Sequence, residues 1–186
     1  PVRRIAHGDA LHFIARVSAY KQAIGGSSSV LAGYTLDLLR TELAVHQLSN
    51  VELVHQDILT LKFTDYFGPE TPSAIVIGNL PYNISSQIIV LLIASRAYIR
   101  RALLMLQKEM AQRLIASPGN RDYGRLSVML QYGNEVKVVA EAPANLFYPR
   151  PKVDSQVISV TTKARIPYPA DDEQMLSRVV KAGFSQ

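Results

Sequence analysis

Ala74-Ile75-Val76-Ile77-Gly78-Asn79-Leu80-Pro81-Tyr82-Asn83-Ile84-Ser85 is the stretch that decides how this chain folds. Its first four residues are an unbroken apolar run, the pattern of a short strand covered on both faces, and the run stops at Gly78. Pro81 then sets its own φ near about −65° and keeps Leu80 out of helical backbone. Ser85 or Ser86 is placed to cap a helix through Ile88 to Ile93. Strand, rigid turn and helix in that order form the repeating unit of an α/β layered fold with a largely parallel sheet. Such sheets bind ligands beyond the carboxyl ends of their strands, which is where Asn79 falls.

The flanking sequence continues the alternation. Leu36, Leu38, Leu39, Leu43 and Leu48 recur at helical spacing, and Val51 to Val54 reads as a strand leading to His55-Gln56-Asp57. Downstream, Ala102 to Leu106 is the next buried strand and Lys108 to Ala116 an amphipathic helix that ends before the turn cluster Ser117-Pro118-Gly119-Asn120. Arg125 to Tyr132 forms another helix, and the closely spaced strands Glu135 to Ala140 and Gln156 to Thr162 predict an antiparallel finish. Ile166 to Ala170 is a linker into a last helix from about Asp171 to Ala182.

With 186 residues, 48% of them apolar and 19% charged, the chain has the composition of one globular domain. It contains no cysteine, which removes disulfides, thiolate metal sites and cysteine nucleophiles, and fits a reducing, cytoplasmic setting. The longest apolar stretch, Ile88 to Ala94, is far below the roughly 20 residues of a membrane span. The net charge of +5 is regional: Arg96 to Arg165 hold 12 Lys or Arg against 5 Asp or Glu. A segment of that sign suits a polyanion, whose counterions are released on binding, although a solvated basic face gives the same count. The four histidines show no metal-ligand spacing, so no metal is expected.

The Asn-Leu-Pro-Tyr turn suits recognition of a planar amine. The exocyclic nitrogen of adenine is a poor nucleophile because its lone pair is delocalised into the ring. An Asn79 side-chain oxygen and a Leu80 carbonyl that accept its two hydrogens would aim the lone pair at an electrophile, with Tyr82 stacked on the base. Taken alone, the same residues also suit an ordinary strand-to-helix turn with a half-buried tyrosine.

Context favours the first reading. From Leu36 to Gln186 the sequence resembles the ribosomal RNA adenine N6-dimethyltransferases, the relatives of the bacterial small-subunit dimethyladenosine transferase. The resemblance rests on four ordered blocks: Asn79 to Ser85, Leu106-Gln107-Lys108-Glu109-Met110-Ala111-Gln112-Arg113-Leu114, Tyr123-Gly124-Arg125-Leu126-Ser127-Val128, and Phe147-Tyr148-Pro149-Arg150-Pro151-Lys152-Val153-Asp154-Ser155. It implies a Rossmann-like methyltransferase fold, S-adenosyl-L-methionine as methyl donor, and transfer of two methyl groups to N6 of adenosines in small-subunit ribosomal RNA or its precursor particle. It implies catalytic roles for Asn79, Leu80, Pro81 and Tyr82, with Phe147 closing the other face of the base. Asp57, Ile58 and Asn79 would contact the cofactor, and Arg113, Arg125, Arg150 and Lys152 the RNA backbone. Asp57 also reads as a surface carboxylate that caps a loop, and Gln107-Lys108-Glu109 as an ordinary helix start. The protein is expected to be a monomer.

Residues 1–33 do not match. Here the family carries a glycine-rich turn after its first strand, and an acid after its second strand that bonds the cofactor ribose. In this chain the acid should fall near Leu31 to Gly33, where there is none, and Gly25-Gly26 reads as a linker. Two accounts follow: the N-terminal part has been replaced, by a frame-shifted reading or a deletion, or the chain is a non-catalytic RNA-binding or ribosome-assembly relative that has lost the cofactor. Loss of the first strand should be met by reduced stability or substitute packing from residues 5–24. The expected organisation is an unmatched segment at 1–33, a catalytic domain at 34–165, and at 166–186 a linker and the start of a helical region largely absent here.

Overall fold

The computed structural model describes residues 13–15, 28–48, 51–54, 56–67, 72 and 74–185. The chain divides into two units, residues 1–62 and 63–186. His55 and the Gly25-Gly26 pair lie outside the described residues.

In the first unit, strand β1 (Phe13–Ala15) pairs in parallel with β2 (Val51–Leu53), Phe13 opposite Val51. The unmatched N-terminal segment thus supplies a strand of three residues. Helix α1 (Ser28–Val45) begins well before the leucine pattern at Leu36, so Leu31 to Gly33 are helical. It ends in a Schellman arrangement: Gln47, at φ 53°, turns the chain, while Gln47 N donates to the Ala44 carbonyl and Leu48 N to that of Leu43. Arg40, Leu43 and Leu53 help line a cleft of about 640 Å³ in this unit.

The second unit is a four-stranded sheet in the order β3 (Ala74–Asn79), β4 (Ile99–Gln107), β6 (Ser155–Thr162), β5 (Asn134–Ala142). β3 and β4 run parallel, whereas β6 is antiparallel to both β4 and β5. The antiparallel finish is present, and it makes this sheet mixed rather than largely parallel. Helices α2 (Ser85–Ala94), α3 (Lys108–Ile115), α4 (Arg125–Gly133) and α5 (Glu173–Gly183) complete the unit.

Residues opposite one another share a face of the sheet, so the registers sort the side chains. Val76, Ala102, Leu104, Leu106, Ile158 and Val160 fall on one face. The last five are buried, and α3 and α4 add the buried Ala111, Leu114 and Leu130. This is the core. The opposite face carries Ile75 and Ile77, 37% and 67% exposed, with Arg101 bonded to Ser159. Among the described residues of this unit, the run Ala74 to Ile77 is therefore covered on one face. β3 is the outer strand of this sheet, and its burial alternates with the period of two that a one-sided strand requires.

Neither Ser85 nor Ser86 caps α2. Ile84 occupies the cap position without a side-chain bond, and Ser85, the first helical residue, donates its hydroxyl to the Tyr82 carbonyl instead. The last helix is capped by Asp172, which accepts from Gln174 N and Met175 N. It is anchored by Arg96, which pairs with Glu173 and lies 5.5 Å over the Tyr132 ring. Because Ile158 is fully buried and Val139 half exposed, Ile158→Ala is expected to cost about 2–5 kcal/mol in denaturant unfolding and Val139→Ala no more than about 0.5 kcal/mol. Equal costs would contradict this placement of the core.

Candidate functional site

The strand directions bring three chain segments to one edge. β3 and β4 are parallel, so Asn79 and Gln107 end them on the same side. β6 enters at that side, Ser155 opposite Gln107, and β5 leaves there, Ala142 opposite Ser155. The turn after β3, the start of α3 and the β5–β6 loop consequently meet at one carboxyl edge.

The turn is tightly held. Leu80 N donates to the Met105 carbonyl at 2.8 Å, extending the ladder one residue beyond the strand, and Ile84 N donates to the Pro81 carbonyl. The Leu80 side chain is buried. Gly78 leaves room for it, since a Cβ there would stand 3.2 Å from a Leu80 methyl. Asn79 is exposed, and neither its side-chain amide nor the Leu80 carbonyl is bonded to any described residue. Two acceptors on adjacent residues are thus left open at the sheet edge. Beside them Tyr82, 39% exposed, is fixed at both ends: its hydroxyl is 2.9 Å from the Ser155 hydroxyl and its carbonyl accepts from Ser85.

Phe147 lies on the β5–β6 loop, directly after a short 3-10 turn at Ala144–Leu146. It is partly exposed and makes no ring contact with Tyr82. Arg150 and Lys152, both exposed, share this loop. Arg113 and Arg125 are placed elsewhere, at the end of α3 and the start of α4, and Arg113 is engaged by Glu109 at 3.2 Å. Gln107 ends β4 and occupies the cap position of α3, which starts at Lys108, and Lys108 pairs with Glu141 at 3.6 Å.

Asp57 and Ile58 belong to the first unit. Asp57 caps the 3-10 turn Ile58–Thr60, one carboxylate oxygen accepting from Leu59 N at 3.0 Å. The other carboxylate oxygen has no described partner and the residue is exposed, so a loop-capping role leaves one acceptor for a ligand. No group of three or more metal-ligating side chains occurs among the described residues. At the far end of β5, Lys137 bonds Glu135 and holds its carboxyl below the usual range.

Sequence reasoning missed the polar chain under the edge. Gln156, nearly fully buried, accepts from Gln112 at 2.8 Å and donates to Glu141 at 2.6 Å. Its signal was present as Ser155-Gln156, two polar residues opening a strand whose next packed-face residues, Ile158 and Val160, are apolar.

The model of the family described as Ribosomal RNA adenine dimethylase matches residues 36–186. The chain belongs to the ribosomal RNA adenine dimethylase family. Ribosomal RNA small subunit methyltransferase A of Desulforapulum autotrophicum is 49% identical over 156 residues, covering 84% of this chain and 53% of that protein. Its namesake in Geobacillus thermodenitrificans is 39% identical over 140 residues, covering 74% and 48%. Among solved structures, a dimethyladenosine transferase from Plasmodium falciparum superposes with a TM-score of 0.71 at 26% identity, over 83% of this chain and 53% of that one. The 23S rRNA methyltransferase ErmE gives 0.61 at 28%, over 80% and 56%. The fold is thus that of the Rossmann-like methyltransferases, and the chain spans about half the length of the curated relatives it matches. The match to the dimethylase family begins at Leu36, where the resemblance read from the sequence also begins.

Gln156→Ala should strand the Gln112 amide and the Glu141 carboxylate and cost about 1–3 kcal/mol of stability in chemical denaturation. A change within about 0.5 kcal/mol would mean that the two partners find water or each other without loss.

Proposed function

We propose that this chain is the catalytic region of an enzyme that dimethylates N6 of adenosines in small-subunit ribosomal RNA, acting as a cytoplasmic monomer on the RNA or the precursor particle, with residues 34–165 as its catalytic domain. The observation that carries the reading is the turn from Asn79 to Tyr82: two oxygen acceptors on consecutive residues without a described partner, followed by a half-exposed aromatic ring whose hydroxyl is held by Ser155 and whose backbone carbonyl is held by Ser85.

An adenine amine placed there donates its two hydrogens to the Asn79 oxygen and the Leu80 carbonyl, leaving the nitrogen lone pair directed away from both. Pro81 keeps the two acceptors in a fixed relation, because a residue before proline is confined to extended backbone. Tyr82 supplies a stacking surface worth ~1–3 kcal/mol per base, and Phe147 closes the opposite side. The base has to leave its helix to enter, as for other enzymes that modify a base. Arg150 and Lys152, on the loop that carries Phe147, suit contacts with the adjoining phosphates, whereas Arg113 and Arg125 serve a more distant part of the backbone.

S-adenosyl-L-methionine, when bound, supplies a methyl group on a sulfonium. By the family resemblance Asp57, Ile58 and Asn79 would contact it, and Asp57 suits its adenine end, having one carboxylate oxygen without a described partner to accept from an amine. One observation favours a second reading, a non-catalytic RNA-binding relative: Leu31 to Gly33 are helical and offer no acid to a ribose.

Calorimetry with S-adenosyl-L-methionine separates the two. One-site heat is expected, together with mass spectrometry showing two methyls added to single adenosines of small-subunit RNA. No heat at millimolar ligand would contradict the enzyme and favour the RNA-binding relative. Asn79→Ala is expected to lower transfer by about a hundredfold or more, in the range of removing one preorganised group from a reacting centre, with unchanged melting. Retained transfer would mean that the amine is held elsewhere.

A further inference from the structure

Ser155 is the first residue of β6 and is 1% exposed, yet it is polar and its hydroxyl faces that of Tyr82 at 2.9 Å, 73 residues away in sequence. Its backbone is clamped on both sides, opposite Gln107 of β4 and Ala142 of β5. Asp154, just before it, works on two other segments. Its carbonyl accepts from Lys108 N at 3.0 Å, holding the start of α3, and its carboxylate accepts from Ala144 N at 2.9 Å. Ala144 opens the 3-10 turn that delivers Phe147. Two consecutive residues therefore grip the ring on one side of the proposed slot and the loop that carries the ring on the other.

We propose that Asp154-Ser155 is the positioning pair of the base slot: Ser155 sets the attitude of Tyr82, Asp154 sets the loop of Phe147, and together they fix the gap before a base arrives. The inference rests on the base-pocket reading above and adds residues that touch no substrate. A tethered ring has already lost its rotamer freedom, so less is lost on binding and more of the stacking energy appears as affinity. Without the tether Tyr82 keeps its area and loses its orientation.

The test is fluorescence anisotropy with two labelled probes, an oligouridine carrying one central adenosine and the same strand with an abasic site there. The ratio of the two affinities reports the slot alone, because the backbone contacts are common to both. The wild-type chain should prefer adenosine. Ser155→Ala and Tyr82→Phe should each lower that preference about two- to tenfold, the span of one net hydrogen bond, and the double variant should fall no further than either single one. Ser155→Thr, which keeps a hydroxyl, should restore it. Asp154→Ala should lower it likewise and Asp154→Asn, which keeps an acceptor, should not. A preference unchanged in Ser155→Ala and Asp154→Ala, with only the melting temperature lowered, would overturn the positioning role. Tyr82→Ala with an undiminished preference, or no preference in the wild type, would overturn the base pocket itself and the inference with it.

Discussion

The hydrogen-bonded register of β3, β4 and β6 is the constraint on which the rest depends. It sets Asn79 opposite Met105 and Gln107 opposite Ser155. Backbone ladders admit no small adjustment, because a slip of one residue turns every side chain to the other face of the sheet. The same register that buries Leu104 and Ile158 in the core therefore also places Asn79, the turn after it and Ser155 at one edge. Packing energy, spread over many apolar side chains, stabilises a polar arrangement that would not assemble by itself.

That arrangement carries its own cost. Ser155 and Gln156 are both nearly fully buried, and buried polar groups are tolerated only when bonded. Each has a partner: Ser155 meets Tyr82, and Gln156 joins Gln112 to Glu141. The acceptors that have no described partner, on the exposed Asn79 and on Leu80, belong to the turn that follows β3. An edge that satisfies its inner groups and leaves its outermost acceptors open is organised to receive donors from outside the chain.

Local pattern revealed much of this. The apolar run before Asn79, the proline after it and the amphipathic Lys108 to Ala116 are features of neighbouring residues, and the elements appear where those features lie, α3 ending one residue earlier at Ile115. What depends on distant residues was hidden. The run Ala74 to Ile77 reads as doubly covered, but whether a strand is covered depends on its neighbours, and β3 is the outer strand of its sheet. Ser85 reads as a cap until its hydroxyl is seen to turn back to the Tyr82 carbonyl. The leucine pattern begins at Leu36, yet α1 starts at Ser28. In the site, Asn79, Leu80 and Tyr82 were legible because they are consecutive or nearly so. Ser155 and Gln112 were not, since their partners lie 73 and 44 residues away.

The claim at the centre is that the turn from Asn79 to Tyr82 grips an exocyclic amine. The most direct measurement is nuclear magnetic resonance of the isotope-labelled chain titrated with adenosine monophosphate and, separately, with inosine monophosphate, which has the same shape but an oxygen in place of the amine. Adenosine monophosphate should shift the Asn79 side-chain amide and the backbone signals of Leu80 and Tyr82, and inosine monophosphate should leave the Asn79 amide where it was. Equal shifts with both nucleotides, or shifts confined to residues away from this turn, would contradict it.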